Sequence, residues 1–422
     1  MNPSSGLSTH AGSTIAQLLP AFNFPKLDKD CNESASSPID MSVGENSVLA
    51  DEILSICKNG VQSSFATDHL AYPKSPLGDP ELLEVLATFF DAYFRPNKKL
   101  ASSHVAVAAG ASACLNDLMY SICEPGDAVL VPGPYWNGFD FHFNIRAQVT
   151  PITVSLPRLE DQFTAELISA LDNAYKSTSQ TVRAVVLTNP HNPLGQCYPK
   201  EVLEACVVFC ARHNLHLISD EVYALSSFSS TDFSRGPIPF TSILSLDVAA
   251  LGGDPSRVHM IWSISKDFGC NGLRLGCTVS QNNQPLILHL GISASLNFSS
   301  VSSLITKTLL TSPRLPELLT LSSQRLGRLY NILTVFLKTR GIEYIPASAG
   351  LFVFARLAPN ATKWEEEAAM VCRLKEAGVL VGPGKIYHTA EGDKGWVRLT
   401  FALREDILQQ GLRRLQRGLE ES

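Results

Sequence analysis

The chain has 422 residues, and its 34 Lys and Arg against 40 Asp and Glu leave a formal charge of −6. With 45% hydrophobic and 18% charged residues it has the composition of a globular protein with a large core, which excludes wholesale disorder. Mild acidity without a Lys/Arg stripe excludes a nucleic-acid binder that works through phosphates, and leaves a small molecule as the expected partner.

In chain order, residues 1–40 are rich in Ser, Pro, Asn and Asp and read as an arm. They lack a basic stretch followed by an apolar one, and no run of about 18 apolar residues occurs, so a cytoplasmic protein away from membranes is expected. Ten cysteines without a C-x-x-C pair, most of them in apolar runs, read as buried thiols in a reducing compartment. No histidine spacing points to a metal. Helical spacing marks 49–56 and 80–93, the second opened by Asp79 with Pro80 at its first position. From 104 to 280, β-branched runs (105–109, 128–131, 182–187, 215–219, 258–262, 274–279) alternate with helical ones (112–123, 164–174, 200–213). That alternation predicts an α/β fold, a mostly parallel sheet with helices on both faces. Beyond 300, helices at 302–310, 316–339 and 364–377 and strands at 351–357, 379–381 and 396–403 predict a smaller α+β domain. The expected division is an arm over 1–40, an N-terminal part of the small domain over 41–70, a large domain over 71–300 and the rest of the small domain over 301–422.

The chemistry follows the apolar runs. They lead in turn into Gly110-Ala111-Ser112, Pro134-Tyr135-Trp136, Asn189-Pro190-His191-Asn192, Asp220-Glu221-Val222-Tyr223 and Ser263-Ile264-Ser265-Lys266. In open α/β sheets ligands bind beyond the carboxyl ends of the strands. There the chain supplies helix N-terminal amides, an aromatic ring, an amide, a carboxylate, a phenol, hydroxyls and an amine. Pyridoxal phosphate needs such a set: a lysine for its imine, an acid at the pyridine nitrogen, a donor to the phenolic oxygen and an anion site. Plain structural roles compete for single residues, with Asp220 as a helix cap and Tyr135 as core packing.

The segment from Ser263 to Gly276, with Lys266 and Arg274, resembles the lysine motif of fold-type I aminotransferases, most closely the 1-aminocyclopropane-1-carboxylate synthase-like branch. Gly44-Glu45-Asn46, the run ending at Tyr135, Asn189 to Gly195, Asp220 to Tyr223 and Gly395 to Ala402 match the same branch in order. The resemblance implies a homodimeric enzyme acting at Cα of an amino acid, an aminotransferase or, alternatively, a lyase that eliminates a β- or γ-substituent. It implies that Lys266 bonds covalently to pyridoxal 5'-phosphate, Asp220 pairs with the ring nitrogen, Tyr223 and Asn192 bond the phenolic oxygen, and Tyr135 stacks on the ring. Ala111, Ser112, Ser263 and Arg274 would hold the phosphate, joined by Tyr72 from the partner subunit. Arg398, with Glu45 and Asn192 nearby, would bind the substrate. Where the synthases carry Tyr-His-Gly this chain has Ser75 to Gly78, which argues against cyclopropane ring closure.

Overall fold

The computed structural model describes residues 6–18, 37–72, 75, 77–234, 236–294 and 297–420. Most of the arm expected over 1–40 therefore lies outside the described residues. Within it, α1 (Thr9–Leu18) places His10 Nε2 3.0 Å from the Ile145 carbonyl, and β1 (Ile39–Asp40) is a short strand. Then come α2 (Ala50–Ser64) and α3 (Pro80–Tyr93). The Asp79 carboxylate accepts the Glu81 N–H at 3.0 Å, so the cap and the proline at the first position act as the sequence predicts.

A seven-stranded sheet is built from β2 (Val105–Ala108), β3 (Ala128–Pro132), β4 (Thr150–Val154), β5 (Val182–Thr188), β6 (His216–Asp220), β7 (Val258–Ser263) and β8 (Gly276–Val279), in the order β2-β8-β7-β6-β5-β3-β4. Every pairing is parallel except the two made by β8. Alternate residues of each strand feed two cores. Val105, Val107, Leu130, Val185, Leu217 and Trp262 face one, and Ala106, Ala108, Val129, Val131, Val186 and Ile218 face the other. The helices covering these faces include α4 (Ala111–Ile122), α5 (Gly138–Asn144), α6 (Glu166–Ser177), α7 (Lys200–His213) and, after the four-residue α8 (Ile264–Asp267), α9 (Gln284–Ala294). The C-terminal part holds α10 (Ser300–Leu310), α11 (Leu315–Thr339), β9 (Tyr344–Ile345), β10 (Phe352–Arg356), α12 (Trp364–Glu376), β11 (Val379–Leu380), β12 (Gly382–Pro383), β13 (Trp396–Thr400) and α13 (Glu405–Glu420). Its antiparallel sheet runs β12-β13-β10-β9, and β11 pairs in parallel with β1 far upstream. The fold class matches the sequence expectation.

Nine of these elements lie beyond the expected set; α1 and β1 belong to the arm, α8, β9 and β12 have four residues or fewer, and the other four escape for different reasons. β4 carries Pro151, which lacks a ladder donor, and it sits at the sheet edge where that costs least. α5 is only seven residues long. α9 is apolar nearly all round, so no stripe marks it, and Leu288 and Ile292 are exposed on its outer side. α13 does have a legible stripe, burying Leu408, Leu412 and Leu415. Among the described residues every cysteine is free, and burial pushes the thiols of Cys114, Cys197 and Cys206 up to about 12. No helix among the described residues is long and apolar enough to cross a membrane.

Candidate active site

The carboxyl ends of β2, β5, β6 and β7 open onto a cavity of about 480 Å³, closed on its other side by residues 42–44, the segment around β12 and β13. Ala111, Ser112, Asn192, Asp220, Tyr223, Ser263, Lys266, Arg274 and Arg398 all line it.

At one end, α4 begins at Ala111 and points its free N–H groups into the cavity's rim. Gly110 stands at φ +89, and a Cβ there would lie 2.4 Å from Arg274 Nη2. A Cβ on Gly276 would lie 2.6 Å from the Ala111 nitrogen, so β8 can start against the helix only as glycine. Arg274 donates to the Asn271 and Ala109 carbonyls at 2.9 and 3.0 Å, and among the described residues no carboxylate pairs with it. Ser263 caps α8, its Oγ 3.0 Å from the Ser265 nitrogen and 2.7 Å from the Ser265 Oγ.

Deeper in, two adjacent carboxylates at the end of β6 have opposite surroundings. Glu221 is fully buried and accepts from Ser219 Oγ (2.8 Å), Ser242 Oγ (2.6 Å) and the Ile243 N–H (2.7 Å), so it anchors the loop. Asp220 faces the cavity, and its Oδ1 is buried without a hydrogen-bond partner. Burial pushes its pKa up to about 7, against the opposing pulls of the Val222 N–H and Lys266. Lys266 Nζ donates to the Gly44 carbonyl at 2.7 Å. Burial lowers its pKa to about 8, helped by Arg398, while Glu45 and Asp220 oppose the shift. α8, which carries Lys266, is fixed by Asp267, which accepts from Trp262 Nε1 (2.9 Å), Ser226 Oγ (2.7 Å) and the Leu225 N–H (3.1 Å). Asn46 Nδ2 donates to the Lys266 carbonyl at 2.9 Å. Burial also raises the pKa of the Tyr223 phenol, keeping it protonated as a donor.

Toward the mouth, Arg398 on β13 is buried, with Nη1 on Asn192 Oδ1 at 3.0 Å and Nη2 on the Ser42 carbonyl. Its Nε is buried without a partner, and its guanidinium lies 4.8 and 5.0 Å from the ring centroids of Phe352 and Tyr387. Among the described residues it has no carboxylate partner. A buried guanidinium with no acid of its own is a site for a ligand's carboxylate.

Three expected residues stand elsewhere. Tyr135 does not line the cavity: it is 2% exposed, turned away beneath the neighbouring turn, and its ring stacks on His388 at 4.3 Å. The aromatic ring at the wall is that of the next residue, Trp136. Successive residues of an irregular loop point in different directions, which spacing does not reveal. Glu45 is exposed outside the lining and acts on Lys266 only through its charge. Tyr72, expected to act at the other subunit's phosphate, is 83% exposed and does not line this chain's cavity. Asn189, the other amide of its turn, is structural: it donates to the Thr241 carbonyl and accepts the Tyr198 N–H. Gly44, Asn46, Trp136 and Asp267 all lie inside or beside the quoted motifs, but the sequence assigned none of them a role in the site.

These features fit pyridoxal 5'-phosphate on the chain's own terms. The unpaired Arg274 and the α4 amides suit a phosphate, the unpartnered Asp220 Oδ1 suits a protonated ring nitrogen, and a lysine of lowered pKa suits an aldehyde carbon.

Known proteins agree. The chain is 44% identical over 411 residues to the probable aminotransferase aclI of Aspergillus oryzae, covering 97% of each chain. It is 31% identical over 420 residues to a mouse protein named probable inactive 1-aminocyclopropane-1-carboxylate synthase-like protein 2, covering 96% of this chain and 69% of that one. In structure it is similar to a Thermus thermophilus aspartate aminotransferase mutant, with a TM-score of 0.76, 23% identity and coverage of 98% and 99%. The model of the family "Aminotransferase class I and II" matches residues 36–415. With nearly the whole chain matched and its cavity furnished for pyridoxal 5'-phosphate, the protein belongs to the class I and II aminotransferases.

Proposed function

We propose that the protein removes the Cα proton of an amino acid with an uncharged side chain and passes its amino group to a 2-oxo acid, working as a homodimer in the cytoplasm. The observation that carries this reading is one cavity faced by a buried lysine, a buried carboxylate with a free oxygen and a buried guanidinium without an acid. Bound pyridoxal 5'-phosphate supplies an electron sink for the pair left on Cα. Residues 71–300 would form its binding domain, with 41–70 and 301–422 forming the domain that bears the substrate's carboxylate.

In this reading Arg398 takes the substrate carboxylate in its guanidinium fork while Asn192 holds the fork in plane. Asp220, as carboxylate, keeps a ring nitrogen protonated. Lys266 Nζ would hold the cofactor and, with the substrate bound, would be the base that takes the proton from Cα. Its lowered pKa leaves a useful fraction of free amine near neutral pH. Tyr223 and Asn192 would donate to the cofactor's phenolic oxygen, and Trp136 would cover its ring. Tyr72 would complete the phosphate site of the partner subunit.

The wall opposite the sheet includes Val43, Val381, Pro383, Ile386 and Tyr387, and apart from Lys266, Arg274 and Arg398 the lining holds no cation. This favours an uncharged side chain, since a carboxylate there would be desolvated without a partner. The second reading, elimination of a β- or γ-substituent, for instance by C–S cleavage, would use the same lysine, carboxylate and guanidinium, and an uncharged substituent suits the same wall. A panel of amino acids incubated with and without 2-oxo acids, followed by mass spectrometry, separates the readings. Amino transfer that requires the oxo acid supports transamination, whereas thiol, ammonia and pyruvate formed without it support elimination.

Arg398→Lys is expected to raise KM for any substrate about a hundredfold, since an ammonium replaces two parallel bonds with one and leaves Asn192 unpaired. Steady-state kinetics check this, and an unchanged KM would remove Arg398 from the site.

A further inference from the structure

The displacement of Tyr135 from the cavity leaves its position to be explained. Its N–H donates to the Tyr387 carbonyl at 2.8 Å, and its ring lies on the His388 imidazole at 4.3 Å between centroids, tilted by 21°. The Tyr135 hydroxyl donates to Asp140 Oδ1 at 2.8 Å, and the other oxygen of Asp140 lies 2.6 Å from His388 Nε2. One carboxylate, at the start of α5, therefore joins a tyrosine of the loop after β3 to a histidine of the C-terminal part.

His388 ends the 3-10 turn Gly384–Tyr387 in a left-handed conformation, φ +59, which for a non-glycine residue requires support from its surroundings. The support is the stack and the hydrogen bond just described. The residue before it, Tyr387, lines the cavity, is 2% exposed and lies against the guanidinium of Arg398. Val381, Gly382, Pro383 and Ile386, of the same segment, form the wall beside the substrate's expected place.

We infer that Asp140, Tyr135 and His388 form a clasp that pins the 382–388 segment to the large sheet and so sets the position of Tyr387 and Arg398 for the substrate carboxylate. Asp140 and His388 are positioning residues: neither lines the cavity, and each acts through Tyr387. The clasp rests on the proposed function for the meaning of the carboxylate site. Its geometry stands without that reading.

The test uses the full-length holoenzyme and two amine reagents that consume the visible band of a lysine-bound cofactor. Aminooxyacetate carries a carboxylate for Arg398, and methoxyamine carries none. His388→Ala is expected to slow the reaction with aminooxyacetate about tenfold and leave that with methoxyamine unchanged, because only the carboxylate contact is displaced. His388→Gln, whose amide can still donate to Asp140, should recover most of the rate. Hydrogen exchange, which does not depend on reactivity, should quicken in His388→Ala at the Tyr135 amide and in 384–389, with the rest of the sheet unaffected. Equal slowing with both reagents, or no slowing with either, overturns the clasp. So does exchange that quickens throughout the protein. A wild-type protein without a visible band would instead overturn the cofactor reading, and with it the role assigned to the clasp, while exchange would still report whether the contact pins the segment.

Discussion

Lys266→Ala is expected to lower turnover about ten-thousand-fold, since it removes both the covalent attachment and the group that moves the Cα proton. The side chain's position is fixed from several sides. Asp267 ties α8 to the loop after β6, Asn46 holds the Lys266 carbonyl, and the Gly44 carbonyl receives Nζ at 2.7 Å. The alanine variant loses the side chain beyond Cβ but keeps the Asp267 and Asn46 contacts, so the fold and the Asp220 site should persist, and added methylamine should restore part of the rate. Single-turnover kinetics with a reactive amino acid measure both effects. Undiminished turnover, or no rescue alongside an intact circular dichroism spectrum and melting temperature, would mean that another group handles the proton.

Asp220→Asn should lower turnover by about a hundred- to a thousandfold, since a preorganised charge facing a developing charge in a buried site carries effects of that size. The same substitution has the opposite sign for stability. In the cofactor-free chain the Asp220 carboxyl titrates near 7 against an ordinary 3.8, because burial disfavours its charge. Between about pH 4 and 7 the folded state keeps a proton that the unfolded state has lost. This group's contribution therefore becomes less favourable as pH rises through that window, and stays at its least favourable above it. Asparagine has no such charge to bury. Cofactor-free Asp220→Asn should melt above the wild type at pH 8, with the difference shrinking toward pH 4. A lower melting temperature at pH 8 would show that the carboxylate has a partner in the folded chain. The predicted higher melting temperature would mark Asp220 as a residue that trades stability for function, as buried polar groups in active sites do.

Much of this was legible in the sequence because periodicity and strand ends are local properties. The α3 bounds follow from Asp79-Pro80 and the spacing of Leu82, Leu83, Leu86 and Phe90. The sheet follows from β-branched runs whose residues alternate between two apolar cores. Cavity groups such as Asp220 and Lys266 follow from lying immediately beyond such runs, where a parallel sheet delivers its ligands. What escaped depends on distant segments or on side-chain direction. Gly44 and Asn46 meet Lys266 across more than two hundred residues of chain, and their motif marks the place without showing which of their atoms reach the lysine. Tyr135 and Trp136 are adjacent aromatics, and only the loop's course decides which one turns to the cavity. The edge strand β4 was hidden by Pro151, a residue that counts against strands except at an edge.

The central claim is that Lys266, among all lysines of the chain, carries the cofactor. Reduction of the purified holoenzyme with borohydride fixes the bond between lysine and cofactor, and tryptic peptides can then be read by mass spectrometry. The predicted result is the reduced cofactor's mass on the peptide containing Lys266 and on no other. The mass on a different lysine, or on none while the protein keeps its visible band, would contradict the account.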